Sequence, residues 1–156
     1  MEKTDQSVSG NDLGLTIVRV FDAPRELMFR MWSEKAHMTR WFGPDDSTIE
    51  DADMDFRVGG AWHSTLRSPS GNVHRMQGIY REIVANERIV FTHAWVQEEG
   101  GLGWETLVTV TFSDDGGKTK LTFQQGEFET MNARDMHVDG WTKTLNGLEA
   151  HLAKRD

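Results

Sequence analysis

Near the end of the chain, Val138, Trp141, Leu145, Leu148 and Leu152 follow one another at spacings of three, four, three and four. That spacing draws one apolar stripe along a helix. A single helix cannot bury its own stripe, so the preceding sequence has to supply a covering surface. From about residue 47 the chain does so. The runs "STIEDADMDFRV", "AWHSTLR", "VHRMQGIYREIV", "RIVFTHAWV", "WETLVTVTFSD" and "TKLTFQQGEF" read as strands, separated by short polar stretches such as "SPSGN" and "DGGK". Short turns between consecutive strands predict an antiparallel meander. The economical arrangement is an α+β fold in which a curved antiparallel sheet of about six to seven strands wraps around the long C-terminal helix.

Upstream, "LTIVRVFD" (15–22) reads as a strand and "DAPRELMFRMWS" as a helix, with Pro24 suited to its first turn and Leu27, Met28, Met31 and Trp32 at helical spacing. A second short helix, "EKAHMTRWF", stops at Gly43-Pro44. Residues 1–14 are polar and predict a flexible leader, leaving 15–156 as one domain. Gly59-Gly60, in "MDFRVGGAW", precedes a strand rather than a helix, so it lacks the free N–H groups of a common anion site. A positive-φ turn that aims Trp62 inward is the expectation. Gly140 and Gly147 flank the helical stripe, each costing about 1 kcal/mol against Ala. Close packing or space for a ligand would offset them.

The net charge of −8 argues against nucleic acid and anionic membrane surfaces. No cysteine is present, which excludes disulfides and thiolate chemistry and fits a cytoplasmic location. The polar start has no signal-peptide core, and no run approaches membrane-spanning length. Nucleotide-binding glycine motifs, GxSxG and HExxH are all missing. No cofactor is expected.

"FDAPRELMFRMW" followed by "RWFGP", "DFRVGGAW", "GIYREIVANERIVFT", "TLVTVTF" and "HVDGWTKTLNGLEAHL" together resemble the bacterial relatives of the activator of the Hsp90 ATPase. That family lies within the START-like superfamily, alongside birch-pollen-allergen-like proteins and polyketide cyclases. The resemblance covers roughly residues 14–153. It implies a helix-grip fold with a cavity between sheet and long helix, partly closed by the two short helices. Its usual guests are small hydrophobic or amphipathic molecules. A homodimer is compatible with it.

Strand alternation nominates the inward side chains. These are Trp62, Ser64 and Leu66; Met76, Gly78 and Tyr80; Phe91, His93 and Trp95; Val108, Val110 and Phe112; and Leu121, Phe123 and Gln125. The expected ligand cavity takes Trp41, Trp62, Ser64, Met76, Tyr80, Phe91, His93, Trp95, Val108, Val110, Phe123, Gln125 and Trp141 from these, the helical stripe and the rim. Core filling is the plainer role for each ring taken singly. His93 is the one nominee for acid–base work, but no partner for it is visible in sequence. Gln125 stands where, by the resemblance, a histidine is often found, which removes proton-transfer ability at that place. His63 and His74 flank a turn and invite a metal reading, but without a third ligand no metal is expected. Asp51, Asp53 and Asp55 alternate on one strand face and read as solvated, with Arg57 beside them. Arg19 and Glu82 are charges within apolar strands, inward or outward.

The expectation is a protein that binds a small hydrophobic or aromatic molecule in its cavity, rather than an enzyme. A cyclase or hydrolase using the same cavity and a chaperone-interaction module are the alternatives.

Overall fold

The computed structural model describes residues 6–9, 13–43 and 47–154. Within them the order is β1 (Gln6–Ser9), β2 (Leu15–Phe21), α1 (Arg25–Ser33), α2 (Lys35–Trp41), β3 (Thr48–Met54), β4 (Ala61–Arg67), β5 (Val73–Val84), β6 (Arg88–Trp95), β7 (Thr106–Asp115), β8 (Lys118–Gly126) and α3 (Met131–Lys154). The strands form one open antiparallel sheet in the order β1-β2-β8-β7-β6-β5-β4-β3. From β3 to β8 each strand pairs with its neighbour in sequence, as short turns dictate. β2 then closes against β8. This is the helix-grip architecture, with eight strands among the described residues rather than six or seven.

The extra strand lies inside the stretch expected to be a flexible leader. Gln6 pairs with Arg19 and Ser9 with Thr16, so β1 completes the hydrogen bonds of what would otherwise be the edge of β2. Polar composition concealed it. An outermost strand with one wet face needs few apolar residues. The remaining residues before 13 lie outside the described ones.

β2 shows why the grip closes. Leu15, Ile17, Arg19 and Phe21 all point inward and are buried. Arg19 therefore takes the inward alternative. Its guanidinium bonds Glu149 on α3 at 2.5 Å and Gln6 at 3.1 Å, and lies 5.3 Å from the centre of the Phe21 ring. Glu82 instead pairs with Arg88 through two bonds of 3.1 Å at a half-exposed position. On α3, Trp141, Leu145, Leu148 and Leu152 are buried as the stripe requires, and Thr144 beside them is buried too. Gly147 has the tightest helix contact. A Cβ there would stand 3.0 Å from the Trp41 carbonyl oxygen, so the glycine lets the end of α2 rest on α3. A Cβ at Gly140 would meet nothing within 4 Å outside the helix's own backbone.

α1 and α2 form a continuous cap. Glu34, extended at φ −110° and ψ 124°, separates them. α2 is tied to α3 by a hydrogen bond between His37 Nδ1 and His151 Nε2 (3.2 Å), and to α1 by Trp41 Nε1 donating to the Met31 carbonyl (3.0 Å).

Candidate functional site

Two regions of the interior are rich in rings. The first lies toward the open end of β6, β7 and β8. Trp141 from α3 packs on Phe123 with centroids 4.2 Å apart, and its indole N–H donates to Gln125 Oε1 at 2.7 Å. Gln125 Nε2 donates to Thr106 Oγ1 at 2.8 Å, and that hydroxyl donates to the His93 carbonyl at 3.3 Å. Both ends of the Gln125 amide are thus engaged, the oxygen with α3 and the nitrogen with β7 of the sheet. His93 is buried between Trp62, Trp95 and His137, at ring distances of 5.8, 5.2 and 6.1 Å. His137 Nε2 accepts from Trp95 Nε1 at 3.0 Å while its Nδ1 lies 2.7 Å from the Ala133 carbonyl, an arrangement that suits the neutral ring with the proton on Nδ1.

Burial sets the electrostatics here. Desolvation, with a smaller contribution from His137, pushes His93 down to about 3. Burial lowers His137 as well, partly opposed by its bond to the Ala133 carbonyl. A neutral imidazole of such low basicity removes protons poorly near neutral pH.

The second region lies under α2. A cavity there is lined by Trp32, Lys35, Met38, Thr39, Phe42, Ala52, Met54, Trp62, Ser64, Tyr80, Ile89 and Phe91, and its free volume of about 20 Å³ is water-sized. Its more exposed lining residues, Lys35 and Thr39 on α2 and Ala52 and Met54 on β3, mark the mouth between those elements. Lys35 Nζ stands there 3.9 Å from Asp53 Oδ1. Phe56, Tyr80, Phe91 and Trp62 form a run of edge-to-face contacts at 5.0, 6.0 and 5.5 Å along the sheet wall. Burial raises the Tyr80 phenol above its ordinary range.

Two glycines set this wall. Gly59 has φ +88°, and Gly60 passes so close to Asp55 that a Cβ would overlap its carbonyl oxygen. The turn docks on β5, with Gly59 N–H donating to the Tyr80 carbonyl at 2.7 Å and Tyr80 N–H to the Gly60 carbonyl at 2.9 Å. Trp62, two residues on, lies across Gly78 of β5, where a Cβ would collide with the indole and with the Thr92 carbonyl. Its N–H reaches that carbonyl on β6 at 3.1 Å, while Ile79 N–H turns to the Thr92 hydroxyl at 2.8 Å. A side chain has entered the β5–β6 ladder.

Of the sequence nominees, Trp62, Ser64, Tyr80 and Phe91 line the cavity. Trp41, Met76, Val108, Val110, Phe123, Gln125 and Trp141 are buried elsewhere, as is His93, and Trp95 is partly buried. Several lining residues were not nominated. Ala52 and Met54 carried a usable signal, since they alternate with the exposed Asp51 and Asp53 and so belong to the opposite face. Met38, Thr39 and Phe42 had none, because seven helical residues are too few to define a stripe. His63 pairs with Gln77 and His74 with Leu66, so the two histidines are not opposite one another. Among the described residues no group of three or more histidine, aspartate or glutamate side chains could hold a metal ion. Asp51, Asp53 and Asp55 are exposed, and Arg57 bonds Asp55 at 2.9 Å.

On the outer face, an open groove of about 260 Å³ is lined by residues of β2, β7 and β8, including Leu107, Thr109 and Gln124, and by Glu127 just after β8. Leu107 and Trp104 are exposed beside it, and Trp104 Nε1 donates to the Glu127 carbonyl at 2.7 Å. No helix among the described residues is long and apolar enough to cross a membrane.

Residues 22–153 match the profile of the family described as activator of Hsp90 ATPase homolog 1-like protein. No curated protein matches the chain. Among solved structures, the AHSA1 protein of Silicibacter pomeroyi is 26% identical with a TM-score of 0.84, covering 90% of this chain and 97% of its own. A protein of Chromobacterium violaceum is also 26% identical, with a TM-score of 0.82 and coverage of 92% and 99%. One from Arthrobacter aurescens, at 24% identity and a TM-score of 0.84, covers 96% and 92% and speaks for the fold alone.

Proposed function

Since the chain belongs to the activator of Hsp90 ATPase homolog 1-like family, within a superfamily of ligand-binding helix-grip folds, we propose that it binds a small hydrophobic or aromatic molecule beneath α2. The observation that carries this reading is the cavity wall: aromatic and thioether side chains predominate, with Lys35, Thr39 and Ser64 as the polar members. Pockets for such guests enclose about 300–1,000 Å³, far more than the present free volume. Occupancy therefore requires α2 to swing outward. The means are local. Glu34 and Phe42, on either side of α2, are extended rather than helical, and Met38 and Met54 in the lining have unbranched, adaptable side chains.

Native mass spectrometry of gently purified protein tests the reading. A retained mass of a few hundred daltons, lost on Trp62→Ala, is the expected result. Protein that carries no such mass and shows no saturable binding of naphthalene-type probes would overturn it.

A second reading, a protein-interaction module, draws on the exposed Trp104 and Leu107 beside the outer groove. Retention of an Hsp90-class chaperone on the immobilised chain, abolished by Trp104→Ser, would support it; no retention would remove it. The enzyme reading loses ground because His93, its only nominated base, stands outside the cavity and is a poor proton acceptor.

A further inference from the structure

The chain has six tryptophans, and five of their indole N–H groups have an acceptor. Trp41 donates to Met31, Trp62 to Thr92, Trp95 to His137, Trp104 to Glu127 and Trp141 to Gln125. The sixth, Trp32, is 1% exposed and its Nε1 has no partner. An indole N–H taken out of water without an acceptor is destabilising, and buried donors left in this state are few. Trp32 also lines the cavity beneath α2. Its other surroundings are rings, with Trp41 at 4.8 Å and Phe123 and Trp141 each at 6.3 Å. No protein group accepts the Trp32 proton, and the outward swing of α2 that admits a guest beside this ring is what brings an acceptor to it.

The kind of acceptor follows from the lining. Lys35 is the single charged residue in it, and it stands at the mouth beside Asp53. A carboxylate buried at Trp32 would give up its hydration for one neutral donor, a poor exchange. An uncharged carbonyl oxygen gives up far less. The flat ring-bearing walls favour a flat apolar body behind it. We infer that the guest is an uncharged, planar, apolar molecule whose carbonyl oxygen accepts the Trp32 Nε1 proton. This inference rests on the ligand-binding reading above and specifies its chemistry.

Two probes of the same shape separate the hydrogen bond from simple burial: 2-acetylnaphthalene, and 2-isopropenylnaphthalene, in which a CH₂ group replaces the carbonyl oxygen. The indole resonances of the full chain, assigned by through-bond correlations, are followed during titration with each. The ketone is expected to move the Trp32 N–H proton downfield and to bind about tenfold more tightly, the equivalent of about 1.4 kcal/mol. Trp32→Phe should erase that preference. Should this variant fail to fold, the wild-type comparison decides alone. Equal affinity with the Trp32 resonance alike for both probes would overturn the inference while leaving a binding cavity. If neither probe binds, the inference falls, and the retained-mass measurement judges the broader reading separately.

Discussion

The region around Trp141 and the region around Trp32 are built from the same kinds of residue, yet they are in different states. At Trp141 the indole, the Gln125 amide and the Thr106 hydroxyl form a closed chain in which each donor has an acceptor. At Trp32 the donor is unpaired and a void adjoins the ring. A satisfied network fixes α3 to the sheet. An unsatisfied one, beneath a short helix with extended residues on both sides, is suited to exchange its contents.

Breaking the satisfied side should cost most. Trp141→Ala removes the ring between Phe123, Phe42 and Trp32, and about 3–5 kcal/mol of stability should go with it in urea unfolding. Acid offers a second test. The folded chain keeps His93 neutral down to about pH 3, whereas the unfolded chain takes up that proton near 6.5. Between these values the unfolded state binds more protons, so stability rises with pH and is lost as pH falls from 6.5 toward 3, by about 1.4 kcal/mol for each unit. Urea midpoints measured across that window should show the slope, and His93→Phe should reduce it, leaving the share that His137, also lowered by burial, contributes.

Gln125→Leu sharpens the comparison. It strands the Trp141 N–H and should cost about 1–3 kcal/mol, with guest affinity unchanged in a fluorescence titration. Smallest of all, His37→Phe deletes the hydrogen bond between α2 and α3. A loss of about 0.5–1 kcal/mol is expected, accompanied by faster amide exchange within α2 and little change elsewhere.

The helix-in-sheet architecture was legible because two periods dominate the chain. The stripe at Trp141, Leu145, Leu148 and Leu152 and the alternation along β7 and β8 each repeat often enough to outweigh local exceptions such as the continuously buried β6. The first strand was not legible, since Gln6 and Ser7 earn their place by backbone pairing rather than by burial. The candidate site was read only in part. Alternation identified inward side chains such as Phe123 and Trp62 alike, but it reports the face of a strand and not the position along the grip. Whether a ring meets another ring or empty space depends on what α2 places opposite. Long-range partners such as Glu149 for Arg19 were hidden for the same reason.

The placement of Trp62 makes the cavity wall a reporter. Its indole takes the Thr92 carbonyl while Ile79 is left to the threonine hydroxyl, so one rung of the sheet consists of a ring that a guest would touch. Tilting that ring releases a carbonyl between two central strands. Events beneath α2 would then register as changed amide protection at Ile79, which lies on the far, solvent-facing side of β5.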